Sequence, residues 1–155
     1  MAGLTPVVVA RAGAGDKADW VRLWRLWQRH MSGEVPENVT ERTWQMALAP
    51  ASHLLILLAR AGTGEAIGFA TVSFAPFAWT GSDVAFLQDL FVDEARRGSG
   101  AGEALLKAIY AEADLRGASQ VYWMVDETDG TLQRFYERHA IRTPYLRYMR
   151  TPWPW

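Results

Sequence analysis

Cysteine is absent from the 155 residues. That excludes disulfide staples, thiolate metal sites and a cysteine nucleophile, and it is compatible with a reducing compartment. A strong charge of either sign is also missing: 16 Lys and Arg stand against 17 Asp and Glu, a formal net charge of −1. No global field therefore calls for nucleic acid or for an anionic membrane surface. Long apolar runs are lacking too. The stretch "HLLILLA" from His53 is far short of the roughly 20 residues that span a bilayer. The start, "MAGLTPVVVARAG", has no basic region before its short apolar run, so no signal peptide is read there. Only three histidines occur, His30, His53 and His139, with no metal-ligand spacing. No repeat, linker or low-complexity stretch interrupts the chain. These absences lead us to expect one domain over residues 1–155, without a metal, working in the cytoplasm.

What is present is apolar and aromatic. Half of the residues are hydrophobic, and eight Trp, six Phe and five Tyr are enough to build a core. The stretch "TPVVVARA" reads as a first strand. Trp20, Leu23, Trp24, Trp27 and Met31 then recur at helical spacing on one apolar face, with Asp16 as a cap; core packing accounts for such a stripe. "SGEVPEN" is a loop, and "NVTERTWQMALA" is a second helix with Thr40 as its cap. The period changes after that. "HLLILLAR", "AIGFATVSF" and "VAFLQDLFV" are apolar runs separated by "AGTGE" and "APFAWTGSD", which predicts three strands in antiparallel succession. "EALLKAIYAEADLRG" is a helix with Leu105, Leu106, Ile109 and Ala113 inward and Gly117 just past its end. "QVYWMV" is a strand, "GTLQRFYERHA" a shorter helix and "PYLRYMR" a last strand. The expected class is α+β in the order β-α-α-β-β-β-α-β-α-β.

Between the third run and the long helix stands "ARRGSGAGE", residues 95–103. Glycines at alternate positions let an anion approach bare backbone. A helix start offers unpaired N–H groups and partial positive charge. Arg96 and Arg97 add donors suited to phosphate. Local physics thus offers a phosphate or pyrophosphate site, beside the plain alternative of a flexible turn. A P-loop would need Gly-Lys-Ser/Thr, but Gly102 is followed by Glu103. The dinucleotide fingerprint needs G-x-G-x-x-G within a parallel sheet, and the spacing here is G-x-G-x-G after hairpin-like strands.

The run from Arg97 to Gly102 resembles the Gln/Arg-x-x-Gly-x-Gly/Ala signature of the GCN5-related N-acetyltransferases (GNAT superfamily). "LQDLFV", the long helix, "VYWMV" and "FYERHAI" follow in that family's order. From Leu87 to Arg150 the chain looks like the fungal histone/polyamine and D-amino-acid acetyltransferases, with "YAEAD", "VYW" and a Tyr in the last helix. The resemblance implies the GNAT fold: a mixed, mostly antiparallel sheet with helices on both faces. It implies acetyl transfer from acetyl-CoA to an amine of a small molecule or amino acid. A protein or peptide lysine acetyltransferase, or a CoA-binding module without turnover, are the alternatives. The pyrophosphate would lie on Arg96, Arg97, Gly98, Ser99, Gly100, Ala101 and Gly102. A splayed gap would expose Leu90, Phe91 and Val92, with the backbone of Leu90 and Val92 pairing with the pantetheine amides. The resembled subfamily has Asn where this chain has Asp129, and in related enzymes that side chain touches the pantetheine. A homodimer is implied as well.

Chemistry sets the remaining candidates. Amine attack on a thioester makes an oxyanion, for which the N–H of Val92 is the candidate donor. Tyr136 sits where the family places the acid that protonates the thiolate; a core role capped by a hydrogen bond is its alternative. Candidate bases are Asp89, Glu127 and water chains leading to them. Gln88 and Asp89 are polar residues in an apolar run, which calls for an explanation, and a hydrogen bond fixing an adjacent loop is the other reading of Asp89. The resemblance further implies that the acceptor lies near the first helices, "SGEVPEN" and "APFAWTGSD", with His30 and Glu34 as candidate contacts. Arg138, Arg142, Arg147 and Arg150 read as the wet face of an edge strand or as a basic patch. The tail "TPWPW" is expected to dock on its own domain or on a partner.

Overall fold

The computed structural model describes residues 6–151, so all but the first residue of the tail "TPWPW" lies outside the described residues. Among those described, a five-stranded sheet runs in the order β1-β2-β3-β4-β5. Its strands are β1 (Val8–Arg11), β2 (Leu54–Arg60), β3 (Ala66–Phe77), β4 (Ser82–Val92) and β5 (Gln120–Tyr122). The first four pair antiparallel and β5 joins β4 in parallel. The helices are α1 (Lys17–His30), α2 (Glu37–Leu48), α3 (Ala101–Leu115) and α4 (Gly130–Glu137). The class is α+β, as expected. The chain divides into two units at Tyr122/Trp123. The first holds the sheet with α1, α2 and α3, and the second holds α4 and the segment after it.

Both faces of β2 are covered, which is why it reads as a continuous apolar run and not as an alternating one. Ile56 and Leu58 point into a cluster with Trp20, Leu23, Trp44, Phe69 and Phe91, under α1 and α2. The rings of Trp20, Trp24 and Trp44 stack at centroid distances of 5.6 and 5.2 Å. Their alternates on β2, Leu57 and Ala59, are equally buried and face α3, whose Leu105, Leu106 and Ile109 are fully inside. The Trp stripe of α1 is therefore core, except that Met31 beyond its end is exposed.

Gly68 is a position that periodicity could not reveal. A Cβ built there would lie 2.7 Å from the carbonyl oxygen of Phe91 and 3.3 Å from the Val92 side chain. It lets β3 and β4 close up where Gly68 faces Val92. We expect Gly68→Ala to lower stability by about 1–3 kcal/mol through backbone displacement, measured as a lower urea midpoint at unchanged slope.

Several local expectations need correction. Asp16 does not cap α1 with its side chain; its carboxylate accepts from the Gly13 N–H at 2.8 Å and from Arg60 at 2.7 Å. These bonds, the backbone one foremost, hold its pKa below the ordinary value. Thr40 is not a cap either. The helix begins three residues earlier, behind Pro36, and Thr40 is buried within it, accepting from the Trp24 indole at 3.2 Å. Gly117 does end α3, at φ 66°. The strand expected at residues 120–125 is only three residues long. The last strand expected in "PYLRYMR" is not formed: residues 141–151 contain no strand, and Tyr145, Leu146 and Tyr148 stand exposed. An alternating pattern states a preference for two faces. It forms a strand only where an open edge takes up its backbone groups, and Pro144 removes one donor at the entry.

Candidate active site

The site is built outward from β4. Along β3 and β4 the register runs Gly68↔Val92, Phe69↔Phe91, Ala70↔Leu90 and Thr71↔Asp89, then jumps to Val72↔Leu87. Gln88 is the extra residue of a β-bulge. The bulge explains the polar pair in the apolar run. Gln88 is pushed out into solvent, and Asp89 turns toward α1, where its carboxylate accepts from the Trp27 indole N–H at 2.9 Å and from the Thr71 hydroxyl. Desolvation raises the Asp89 pKa above its ordinary value, and these two neutral donors pull it part of the way back.

The same strand carries an open edge. β5 pairs with β4 only over Val84, Ala85 and Phe86, so among the described residues Leu87 to Val92 have no strand partner on that side. Asp93 donates its N–H to Ile67 O across the β3 side at 2.9 Å. Backbone groups alternate in direction along a strand, so those of Phe91 face β3. Those of Leu90 and Val92 face the open edge.

β4 leads straight into the glycine turn. Asp93 caps a short 3₁₀ turn over Glu94–Arg96 by accepting from the Ala95 N–H. Gly98 and Gly100 then take φ 78° and 83°, in the left-handed region. Gly100 is the N-cap of α3 and offers no side chain to cap it. Among the described residues, the N–H groups of Gly98, Ser99, Gly100 and Gly102 meet no protein acceptor. Added Cβ atoms at Gly98 and Gly100 would touch nothing within 4 Å. A bare helix start thus opens beside the open strand edge, which is the arrangement that takes an anion and an extended chain behind it. Arg96 pairs with Glu65, and Arg97 with Glu94 at 3.5 Å. Both pairs are at the surface, where such contacts contribute about 0–1 kcal/mol and exchange easily.

The second unit holds the other candidates. Tyr136, on α4, packs against Trp123 and Phe135 at 5.0 and 5.1 Å between ring centroids. Asp129 is the N-cap of α4 and accepts from the Leu132 N–H at 2.9 Å. That structural duty accounts for an acidic residue there and was not anticipated from the sequence. Glu127 lies in the preceding loop, its carbonyl accepting from Gln133 at 2.8 Å.

Sequence reasoning missed Trp27 and Thr71, because a partner on another element leaves no trace in local spacing. The β3–β4 connection is a hairpin. Phe77↔Ser82 closes that hairpin at the end of β4 remote from Val92, with Trp79 exposed at its tip. A cleft of about 690 Å³ at the same remote end is lined by Arg11, His53, Asp83 and Arg116. It is separated from the glycine turn by the length of α3, about 22 Å at 1.5 Å per residue. Its arginines are already engaged, Arg11 with Glu112 and Arg116 with Ser52 O and the Phe74 ring.

Comparison with known proteins agrees with this geometry. Residues 20–140 match the model of the acetyltransferase (GNAT) family. A D-amino-acid N-acetyltransferase of Saccharomyces cerevisiae is 31% identical over 145 residues, covering 93% of this chain and 90% of that protein. An aminoglycoside N(6′)-acetyltransferase type 1 of Klebsiella aerogenes is 34% identical over 109 residues, 68% of this chain and 69% of its own. Among solved structures, AAC(6′)-Iy in complex with the bisubstrate analogue CoA-S-monomethyl-acetylneamine superposes with a TM-score of 0.80 at 22% identity, over 95% of this chain and 99% of that one. A ribosomal-protein-alanine N-acetyltransferase from Brucella melitensis gives 0.78 at 20%, over 92% and 96%. With sheet, bulge, open edge and glycine turn in the matched span, the chain belongs to the acetyltransferase (GNAT) family.

Proposed function

We propose that this chain transfers the acetyl group of acetyl-CoA to the primary amine of a small molecule, in the first place an amino acid. The observation that carries the reading is the bare N-terminus of α3 at the end of an open β4 edge. The amides of Gly98 to Gly102 receive the pyrophosphate, helped by Arg96 and Arg97 after exchange from their carboxylate partners. The backbone of Leu90 and Val92 pairs with the pantetheine amides. The 31% identity to a D-amino-acid N-acetyltransferase supports an amino-acid acceptor.

In this reading the acceptor amine loses a proton toward Asp89 and attacks the thioester carbonyl directly. The new C–N bond forms, the oxyanion is met by the Val92 N–H, and the C–S bond then breaks. Tyr136 supplies the proton for the departing thiolate. Tyr136→Phe keeps the ring packing against Trp123 and is expected to lower kcat about tenfold or more while acetyl-CoA affinity stays within twofold, read by stopped thiol release and by calorimetry.

The reading is tested by incubating the protein with acetyl-CoA and D-phenylalanine, D-lysine, neamine or spermidine, and following free thiol. Release that depends on one amine, with its acetylated product found by mass spectrometry, supports it. No amine-dependent release by a protein that binds acetyl-CoA would leave a binding module.

A further inference from the structure

Three tryptophans on α1 share one helix face, yet their indole N–H groups meet different fates. Trp20 is fully buried, and its N–H has no partner. It is a packing residue that carries an unsatisfied donor. Trp24 donates to the neutral hydroxyl of Thr40 at 3.2 Å. Trp27 alone donates to a carboxylate, that of Asp89, at 2.9 Å. Its ring packs between Phe91 at 5.6 Å and the stacked imidazole of His30 at 5.7 Å. The carboxylate is delivered by the bulge at Gln88, which also sets Thr71 directly opposite.

We propose that Trp27 is a positioning residue for the acetyl transfer: together with the Thr71 hydroxyl it orients the Asp89 carboxylate and stabilises its charged form. The inference rests on the reading of Asp89 as the proton acceptor given above. A half-buried, largely desolvated carboxylate without a cation needs fixed dipoles in place of water. Of the titratable groups on neighbouring elements, α1 presents His30 beyond the Trp27 ring, and the turn after β4 presents Glu94, which is 3.3 Å from His30 Nδ1. β3 presents Thr71 and Phe69, neither of which titrates in this range, and β4 itself adds Phe91. Among the described residues, no lysine, arginine or second carboxylate acts on Asp89. Two neutral donors therefore govern where the charge points and how readily it forms. With one donor gone, the ionised form loses a hydrogen bond and the carboxyl holds its proton to higher pH.

The experiment is the pH profile of kcat/KM with acetyl-CoA and the panel amine turned over fastest. It is run on the parent, Trp27→Phe, Thr71→Val, Thr71→Ser and Asp89→Asn. The Asp89 carboxyl carbon is followed in parallel by 13C NMR on the free protein. Trp27→Phe and Thr71→Val are each expected to move the acidic limb and the carboxyl titration up by about half to one pH unit. The KM for acetyl-CoA should stay within twofold, and Thr71→Ser should return the limb to the parent position. If Asp89→Asn keeps parental activity and the acidic limb, the base reading fails and the proposal with it. If Asp89→Asn is inactive but neither the limb nor the titration moves in folded Trp27→Phe and Thr71→Val, only the positioning role is overturned. Should Trp27→Phe fail to fold, the Thr71 pair decides.

Discussion

Asp89→Asn is expected to lose about 10²- to 10⁴-fold in kcat/KM, the range of a removed general base, and to gain thermal stability at the same time. The two effects have one origin. Burial raises the Asp89 pKa above its ordinary 3.8. Between that value and the raised one, the native state holds a proton that the unfolded chain has already released. Stability is therefore fully present below pH 3.8, falls as pH rises through the raised pKa, and stays lower at neutral pH. Asparagine carries no charge and keeps an oxygen for the Trp27 indole, so the desolvation cost disappears while the hydrogen bond at 2.9 Å survives. Scanning calorimetry at pH 7 should show a higher Tm than the parent, and thiol release should show the loss of turnover. Parental turnover in a folded Asp89→Asn would leave Asp89 as an acceptor that ties β4 to α1 and nothing more.

The second large effect is expected at Gly100. Valine there must adopt φ near 83°, which costs an L-residue about 1–2 kcal/mol. No protein atom lies within 4 Å of the new Cβ, so the fold is expected to survive. The isopropyl group nonetheless stands before the unpaired amides at the start of α3. Losing two hydrogen bonds to a charged group, at about 1.5–3 kcal/mol each, corresponds to a rise in acetyl-CoA Kd of about 10²-fold or more. Calorimetric titration with acetyl-CoA and with desulfo-CoA reads this directly. Unchanged affinity in a folded Gly100→Val would return the glycines to the role of a plain turn. Arg97→Ala removes only a surface donor whose present partner is Glu94 at 3.5 Å. It is expected to weaken binding about tenfold and to flatten its salt dependence.

Much of this architecture is written in local patterns. The 3.6-residue period of Leu105, Leu106 and Ile109 and the glycine after the helix specify α3 and its end. Helical phasing alone buries Trp20 and Leu23, because an apolar stripe has nowhere else to go. The turn chemistry of "AGTGE" and "APFAWTGSD" makes the β2–β3–β4 meander legible, and the glycines at 98 and 100 announce bare backbone ahead of a helix. All of these are interactions between residues near in sequence, so spacing reports them. Tertiary structure decided the rest. The bulge at Gln88 exists only as a mismatch between β3 and β4, and it alone determines that Asp89 and not Gln88 turns inward. The glycine at 68 is required by a carbonyl 23 residues away. Trp27 becomes more than packing because α1 crosses the bulge, a contact over 62 positions. The segment "PYLRYMR" shows the converse: its alternation favours a strand, and no strand forms among the described residues. Pairing is a property of two segments, and one segment's pattern cannot supply the other's hydrogen-bond edge.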